Sequence, residues 1–412
     1  MMTDKYKNIF HTLLIFLIVC LLLNSKILSN FVWTFPQLFV DFTGPINWLE
    51  CHHLGYNLIT LDLINCGSGN IGQFNYGYAF LSVPYNEFLG VFYRIYLPWL
   101  IIFLFIYFSV LIFNPKTKQS SFLLYLAILN PSTLLLIERM QLDSLFYLAI
   151  IFTIYNRYYI INWFVGIFFA LIKFYPIAIL ITIFVEDKKR SLKLIFSIIT
   201  FLSLIFLIYL LINKQSYLFM VNNMLPGKAG YHFLYSLNAF PKIFKYMLEL
   251  NYQFLLLIFY SLFIFVTVIV YKKINIDNTY IQKSLYSNKS KLFLIAGYFN
   301  LFLFTLVSSY VYKEVYLLLF IPFILHIKDE YKNKIFNFLV YIIIARYLFL
   351  FIYAYINVHD DISFVEGQRI FSSKFLLAIT IKATLDFVLN TILVAILVLK
   401  TRFYIIDKFK MN

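Results

Sequence analysis

The run Glu138-Arg139-Met140-Gln141-Leu142-Asp143 places two carboxylates and a guanidinium where two apolar segments meet, in a chain of 412 residues that is 62% hydrophobic and 13% charged. An ionised side chain costs roughly 2.5 kcal/mol or more in hydrocarbon, so it normally faces a cavity or another charge, and the cluster marks a site. Lys173, in the break Lys173-Phe174-Tyr175-Pro176, is a second cation beside a helix interruption. A guanidinium grips a phosphate through parallel N–H donors and an ammonium neutralises it as a point charge, so Arg139 with Lys173 suits an anionic head group. A plain structural reading stays open, in which Arg139 pairs with Glu138 or Asp143 and Lys173 snorkels outward.

The stretch 31–90 is the most polar in the chain and carries Asp41, Glu50, His52, His53 and Asp62. A carboxylate held there suits a general base acting on a hydroxyl. The same Asp41 would equally suit the cap of a short helix. Cys51 and Cys66 share this stretch while Cys20 lies in the first apolar run, and no CxxC spacing occurs. The loop pair can form a disulfide on an oxidising face. His52 and His53 are adjacent, cannot share one helical face, and lack further ligands, so no metal site and no cofactor are expected. Lys382 and Asp386, four apart, share a helix face and can neutralise each other. Arg346 stands near the middle of an apolar run and must find its partner on another helix or on a ligand.

A mean hydropathy of +0.83 and apolar runs near the ~20 residues that cross a bilayer define the elements that position these groups. They predict an all-α polytopic transmembrane bundle of about twelve helices, near 9–29, 91–113, 121–137, 142–156, 159–172, 176–185, 193–212, 252–271, 292–308, 314–327, 335–356 and 376–399. The chain reads as one integral-membrane domain, 1–412, with 31–90 as a long first extracytoplasmic loop. Residues 159–185 are too short for two full spans and long for one, which suggests a broken or re-entrant pair around Pro176. With both termini on one side, 21 of the 34 Lys and Arg fall in the loops of that side, so the termini should be cytoplasmic. The net charge of +15 is thereby a topology signal and implies no nucleic-acid partner. Almost all polar clusters that are not merely basic then face outward. Residues 357–375 read as a surface helix covering the site or as an ordinary connection.

The order of short motifs carries a resemblance. Asp41 follows the first helix; Gly55-Tyr56-Asn57, Asn75-Tyr76, the 138–143 run, Lys173-Phe174-Tyr175-Pro176 and the stretch 310–322 (YVYKEVYLLLFIP) come after it. This series resembles the GT-C superfamily of integral-membrane glycosyltransferases, in the branch of polyprenyl-phosphate-mannose-dependent α-mannosyltransferases and their uncharacterised bacterial relatives. Those relatives show a GxDPY-like turn, an NYP, an ERGNxD, a KxYP and an NxDYRxxFL at comparable places. Here Met140-Gln141 stands for Gly-Asn, Gly77 for the Pro after Asn75-Tyr76, and Lys313-Glu314 for an aspartate or arginine pair.

The resemblance implies sugar transfer, mannose foremost, from a polyprenyl-phosphate donor to a glycan or glycolipid acceptor on the outer face of a bacterial cytoplasmic membrane. It implies Asp41 as the base of an inverting reaction, Arg139 and Lys173 on the donor phosphate, and Glu138, Asp143, Tyr175 and Tyr312 in support, with no metal. Two other classes compete. A transporter or flippase of lipid-linked sugars would place its charges at the midplane and in two related halves; an O-antigen polymerase or ligase would use a large late outer loop.

Overall fold

The computed structural model describes residues 4–32, 38–56, 58, 66, 78–156, 158–173, most of 200–215, 218, 234–274, 287–305, 309–331, 334–359, 363–365 and 368–410. In chain order its helices are α1 (Asp4–Leu23), α2 (Val40–His53), α3 (Glu87–Phe113, with one π-helical turn at Phe92–Tyr96), α4 (Lys118–Ile128), α5 (Pro131–Arg139), α6 (Asp143–Tyr155) and α7 (Tyr159–Ile172). After them come α8 (Ala239–Leu248), α9 (Tyr252–Lys273), α10 (Asn288–Thr305), a 3-10 segment (Val311–Leu319), α11 (Ile321–Tyr331), α12 (Lys334–His359) and α13 (Ser373–Lys410). Strands are confined to two small antiparallel pairs among the described residues: Leu234–Tyr235 with Ser309–Tyr310, and Ser363–Val365 with Gln368–Ile370.

Five described helices are long and apolar enough to cross a membrane, namely α1, α3, α9, α12 and the Ser373–Ile406 part of α13; α4 with α5 adds a sixth as a broken span. On α9 only about a tenth of the apolar window is buried, and Phe254, Leu257, Ile264 and Phe265 stand exposed among the described residues. Such a face is unstable in water and stable against lipid, and the chain is a membrane protein. The segment expected at 176–185 and the first part of that expected at 193–212 lie outside the described residues, while most of 200–215 is helical.

Local chemistry sets the boundaries. Thr117 caps α4 in a reciprocal box with Ser120. The single run expected over 121–137 is instead bent by 48° between α4 and α5. Asn130 accepts from the Ser132 and Thr133 amides, and Pro131 opens α5 where its missing N–H costs nothing. Asn251 caps α9 by accepting from the Gln253 and Phe254 amides. In place of the surface helix considered for 357–375, the described residues between α12 and α13 include the paired strands Ser363–Val365 and Gln368–Ile370.

The chain packs as two compact units. Unit 1 comprises Met1–Thr34, Ile106–Glu138 and Gly227–Tyr404; unit 2 comprises Phe35–Phe105, Arg139–Pro226 and Ile405–Asn412. Unit 1 has an aromatic core that includes Phe293, Phe299, Phe304, Phe320, Phe323 and Phe336. In unit 2, α2 packs beside the start of α3, and α6 pairs with α7.

Candidate active site

Four of the residues singled out by the sequence, Asp41, Arg139, Asp143 and Lys173, meet in unit 2. Asp41 lies in the first turn of α2, behind Phe39, which occupies the cap in the left-handed region (φ 64) and makes no side-chain cap bond. Asp41 is therefore not the cap. Its Oδ2 accepts a hydrogen bond from the Gln141 side-chain amide and stands 3.6 Å from Arg139 Nη1.

The partners arrive through one backbone reversal. Helix α5 ends at Arg139 because Met140 takes a left-handed conformation (φ 51), which turns the chain so that Arg139 and Gln141 both address Asp41. Glycine is the usual residue after a helix end, and a side chain there costs about 1–2 kcal/mol. Met140 is almost fully buried, and emptying such a site costs about 2–5 kcal/mol. Packing outweighs strain, so Met140→Gly should lower the unfolding midpoint rather than raise it, a point that thermal unfolding in detergent checks.

Asp143 opens α6 and Lys173 closes α7, and their side chains stand 3.9 Å apart. A carboxylate at a helix start and an ammonium at a helix end each complement the backbone dipole. The four side chains grade from open to closed: Asp41 29% exposed, Arg139 18%, Lys173 11% and Asp143 0%. Burial lifts the Asp41 carboxyl above the ordinary aspartate range, while Arg139, the Gln141 amide and Lys173 draw it partly back. A half-open carboxylate with a raised pKa and two cations within electrostatic reach can take a proton from a hydroxyl and meet a departing anion.

Asp143, expected to steady Arg139, makes its ion pair with Lys173. Glu138 is fully buried. Tyr175 lies outside the described residues; Tyr312 falls in the 3-10 segment of unit 1, and its side chain is likewise outside them. Gln141 was the residue sequence reasoning left without a role, although its place in the 138–143 run, where the similar motif has Asn, was a signal.

A disulfide joins Cys51, at the end of α2, to Cys66, with a Cα–Cα distance of 5.8 Å. Closing a loop of 15 residues stabilises by about 3 kcal/mol. Cys51→Ser should cost about that much, read as a lower unfolding midpoint and as a free Cys66 thiol that is alkylated once the protein is denatured.

Unit 1 holds a second charged group of another kind. Arg346 on α12 meets Glu314 and Asp386, each at 2.6 Å, and Lys382 meets the same two carboxylates at 2.8 and 2.7 Å. Ser132 donates to Glu314 at 3.1 Å, and all four charges are buried. Arg346 thus finds its partners on other elements, and the expected Lys382–Asp386 pair is half of a closed, neutral tetrad. The ion pairs of the tetrad are short; the Arg139–Asp41 and Lys173–Asp143 pairs are longer by about an ångström. No protein-family model, curated protein or solved structure matches the chain.

Proposed function

We propose that the chain is a multi-pass glycosyltransferase of GT-C type that moves a sugar, mannose foremost, from a polyprenyl-phosphate donor to a glycan or glycolipid acceptor. The observation that carries this reading is the convergence of Asp41, Arg139 and Lys173 in one half-open cluster. Asp41 removes the proton of the acceptor hydroxyl, and that oxygen bonds to the anomeric carbon from the face opposite the phosphate. The carbon–oxygen bond to the phosphate breaks, its electron pair leaves with the polyprenyl phosphate, and the anomeric centre inverts. Arg139 and Lys173 stabilise the charge growing on the leaving phosphate. Gln141 and Arg139 orient the carboxylate.

In this reading the protein is a bundle of about twelve helices in the bacterial cytoplasmic membrane, with both termini in the cytoplasm and Asp41 on the outer face. Membranes carrying the protein, given a panel of radiolabelled polyprenyl-phosphate sugars and a crude glycolipid acceptor, should pass label to the acceptor. Label that crosses the bilayer unaltered would instead mark a flippase, the reading that the buried tetrad favours. Arg139→Ala should raise the donor concentration needed for half-maximal rate about tenfold, the loss of one charge-assisted contact.

The pH dependence has a definite sign. A base must be ionised, so activity falls as pH drops through the Asp41 pKa, and burial sets that limb above the ordinary aspartate range. Gln141 draws this pKa down, so Gln141→Leu should shift the acid limb to higher pH. A limb that stays in place would remove Asp41 from the base role.

A further inference from the structure

On α2, Asn47 and Glu50 lie in a second polar group within unit 2. Asp41 and Glu50 are nine residues apart, which at 100° per residue sets them on opposite faces of the helix. The Arg94 guanidinium donates to the Glu50 carboxylate and, at 3.1 Å, to the Asn47 side-chain oxygen. The Tyr85 hydroxyl approaches both charged groups, and the His53 ring faces the Tyr85 ring at 6.0 Å.

The group is held from several directions. Arg94 is carried on the π-helical turn Phe92–Tyr96, a form that is rare overall and frequent at functional sites. Tyr85 lies against Gly90 so closely that a Cβ there would come within 2.6 Å of its hydroxyl. Tyr93 donates to the Pro84 carbonyl at 3.0 Å, and Cys51, next to Glu50, is tied by the disulfide. A surface ion pair alone stabilises by about 0–1 kcal/mol, too little to explain this much construction.

The chemistry on offer is specific. Arg94 and Glu50 each remain 31% exposed, so both can reach a ligand, and their charges cancel. A carboxylate that accepts, a guanidinium and an amide that donate, and a flat Tyr85 ring match the adjacent hydroxyls and apolar ring face of an uncharged sugar. A phosphate would instead meet the Glu50 carboxylate.

We propose that Asn47, Glu50, Tyr85 and Arg94 form a binding site for a neutral saccharide, the part of the acceptor glycan that lies away from the reacting hydroxyl. Its assignment to the acceptor rests on the glycosyltransferase reading; the saccharide site itself does not. The test is saturation-transfer NMR on the full chain in nanodiscs, with methyl α-mannoside and N-acetylglucosamine as probes and glycerol phosphate as the anionic control.

Signal on either neutral sugar should fall at least threefold in Glu50→Gln, in Arg94→Gln and in Tyr85→Phe, which removes only a hydroxyl and preserves the packing on Gly90. It should persist in Asp41→Asn. No signal for either sugar, equal signal for the anion, or undiminished signal in folded Tyr85→Phe and Glu50→Gln overturns the proposal. In the transfer assay, Glu50→Gln should raise the acceptor KM about tenfold with kcat unchanged. Saccharide binding without any transfer by the native protein would end the transferase reading and leave the site standing. Transfer with an unchanged acceptor KM would do the reverse.

Discussion

Asp41→Asn should lower sugar transfer by about 10²–10⁴-fold while leaving the protein at least as stable as before. The two halves of this expectation share one cause. Burial raises the Asp41 pKa, so the folded protein holds that proton more tightly than the unfolded chain does. The contribution to stability is then present at low pH and lost as pH rises through the raised pKa, so ionised Asp41 is a cost at neutral pH. An asparagine keeps the shape and removes the charge. Transfer rates in membranes supplied with polyprenyl-phosphate-mannose, set beside unfolding midpoints of the purified variant, read both quantities. Transfer at the native rate would remove Asp41 from the mechanism; a large drop in midpoint would make it a structural anchor.

Arg346→Met should cost about 3–5 kcal/mol, a large part of the total stability of an ordinary domain, and leave little folded protein. The arginine balances Glu314 and Asp386 at 2.6 Å each, and without it two buried carboxylates face one ammonium. Arg346→Met with Asp386→Leu leaves one cation, Lys382, against one anion, Glu314, at 2.8 Å, with Ser132 still donating to the carboxylate. The double variant should therefore recover most of the folded yield, measured by detergent-solubilised protein and its unfolding midpoint. A double variant no better than the single one would mean that the arginine matters for its shape or its ring contacts with Tyr235 and Tyr347 rather than for its charge.

The spans were legible where a long apolar run carries its own cap. Residues 252–271 were expected and Tyr252–Lys273 is found, with Asn251 at its start; 142–156 became Asp143–Tyr155. The break in 121–137 was also written in Asn130-Pro131, a cap followed by a first-turn proline, but hydropathy alone runs across it. The run expected at 314–327 begins as a 3-10 segment, and Glu314 in that segment is bound into the tetrad, a tertiary demand that no local pattern announces. The site divides in the same way. Burial cost marked Arg139 and Arg346 as residues in need of a partner, whereas Asp41 stood out as a carboxylate of the polar 31–90 stretch; its partner depends on a contact between positions a hundred apart in sequence, Asp41 and Gln141, and no spacing rule reaches that far.

The Cys51–Cys66 bridge has a use outside stability. Thiols join in an oxidising compartment and stay reduced in the cytosol, so this one bond works as a compass for membrane insertion. Thiol blocking of the membrane-inserted chain, with and without prior reduction, would show whether α2 lies on the oxidising side of the bilayer. Through the alternation of spans, that fixes the orientation of every other loop in the chain. A chain inserted upside down would carry three free thiols, Cys20, Cys51 and Cys66, in place of one.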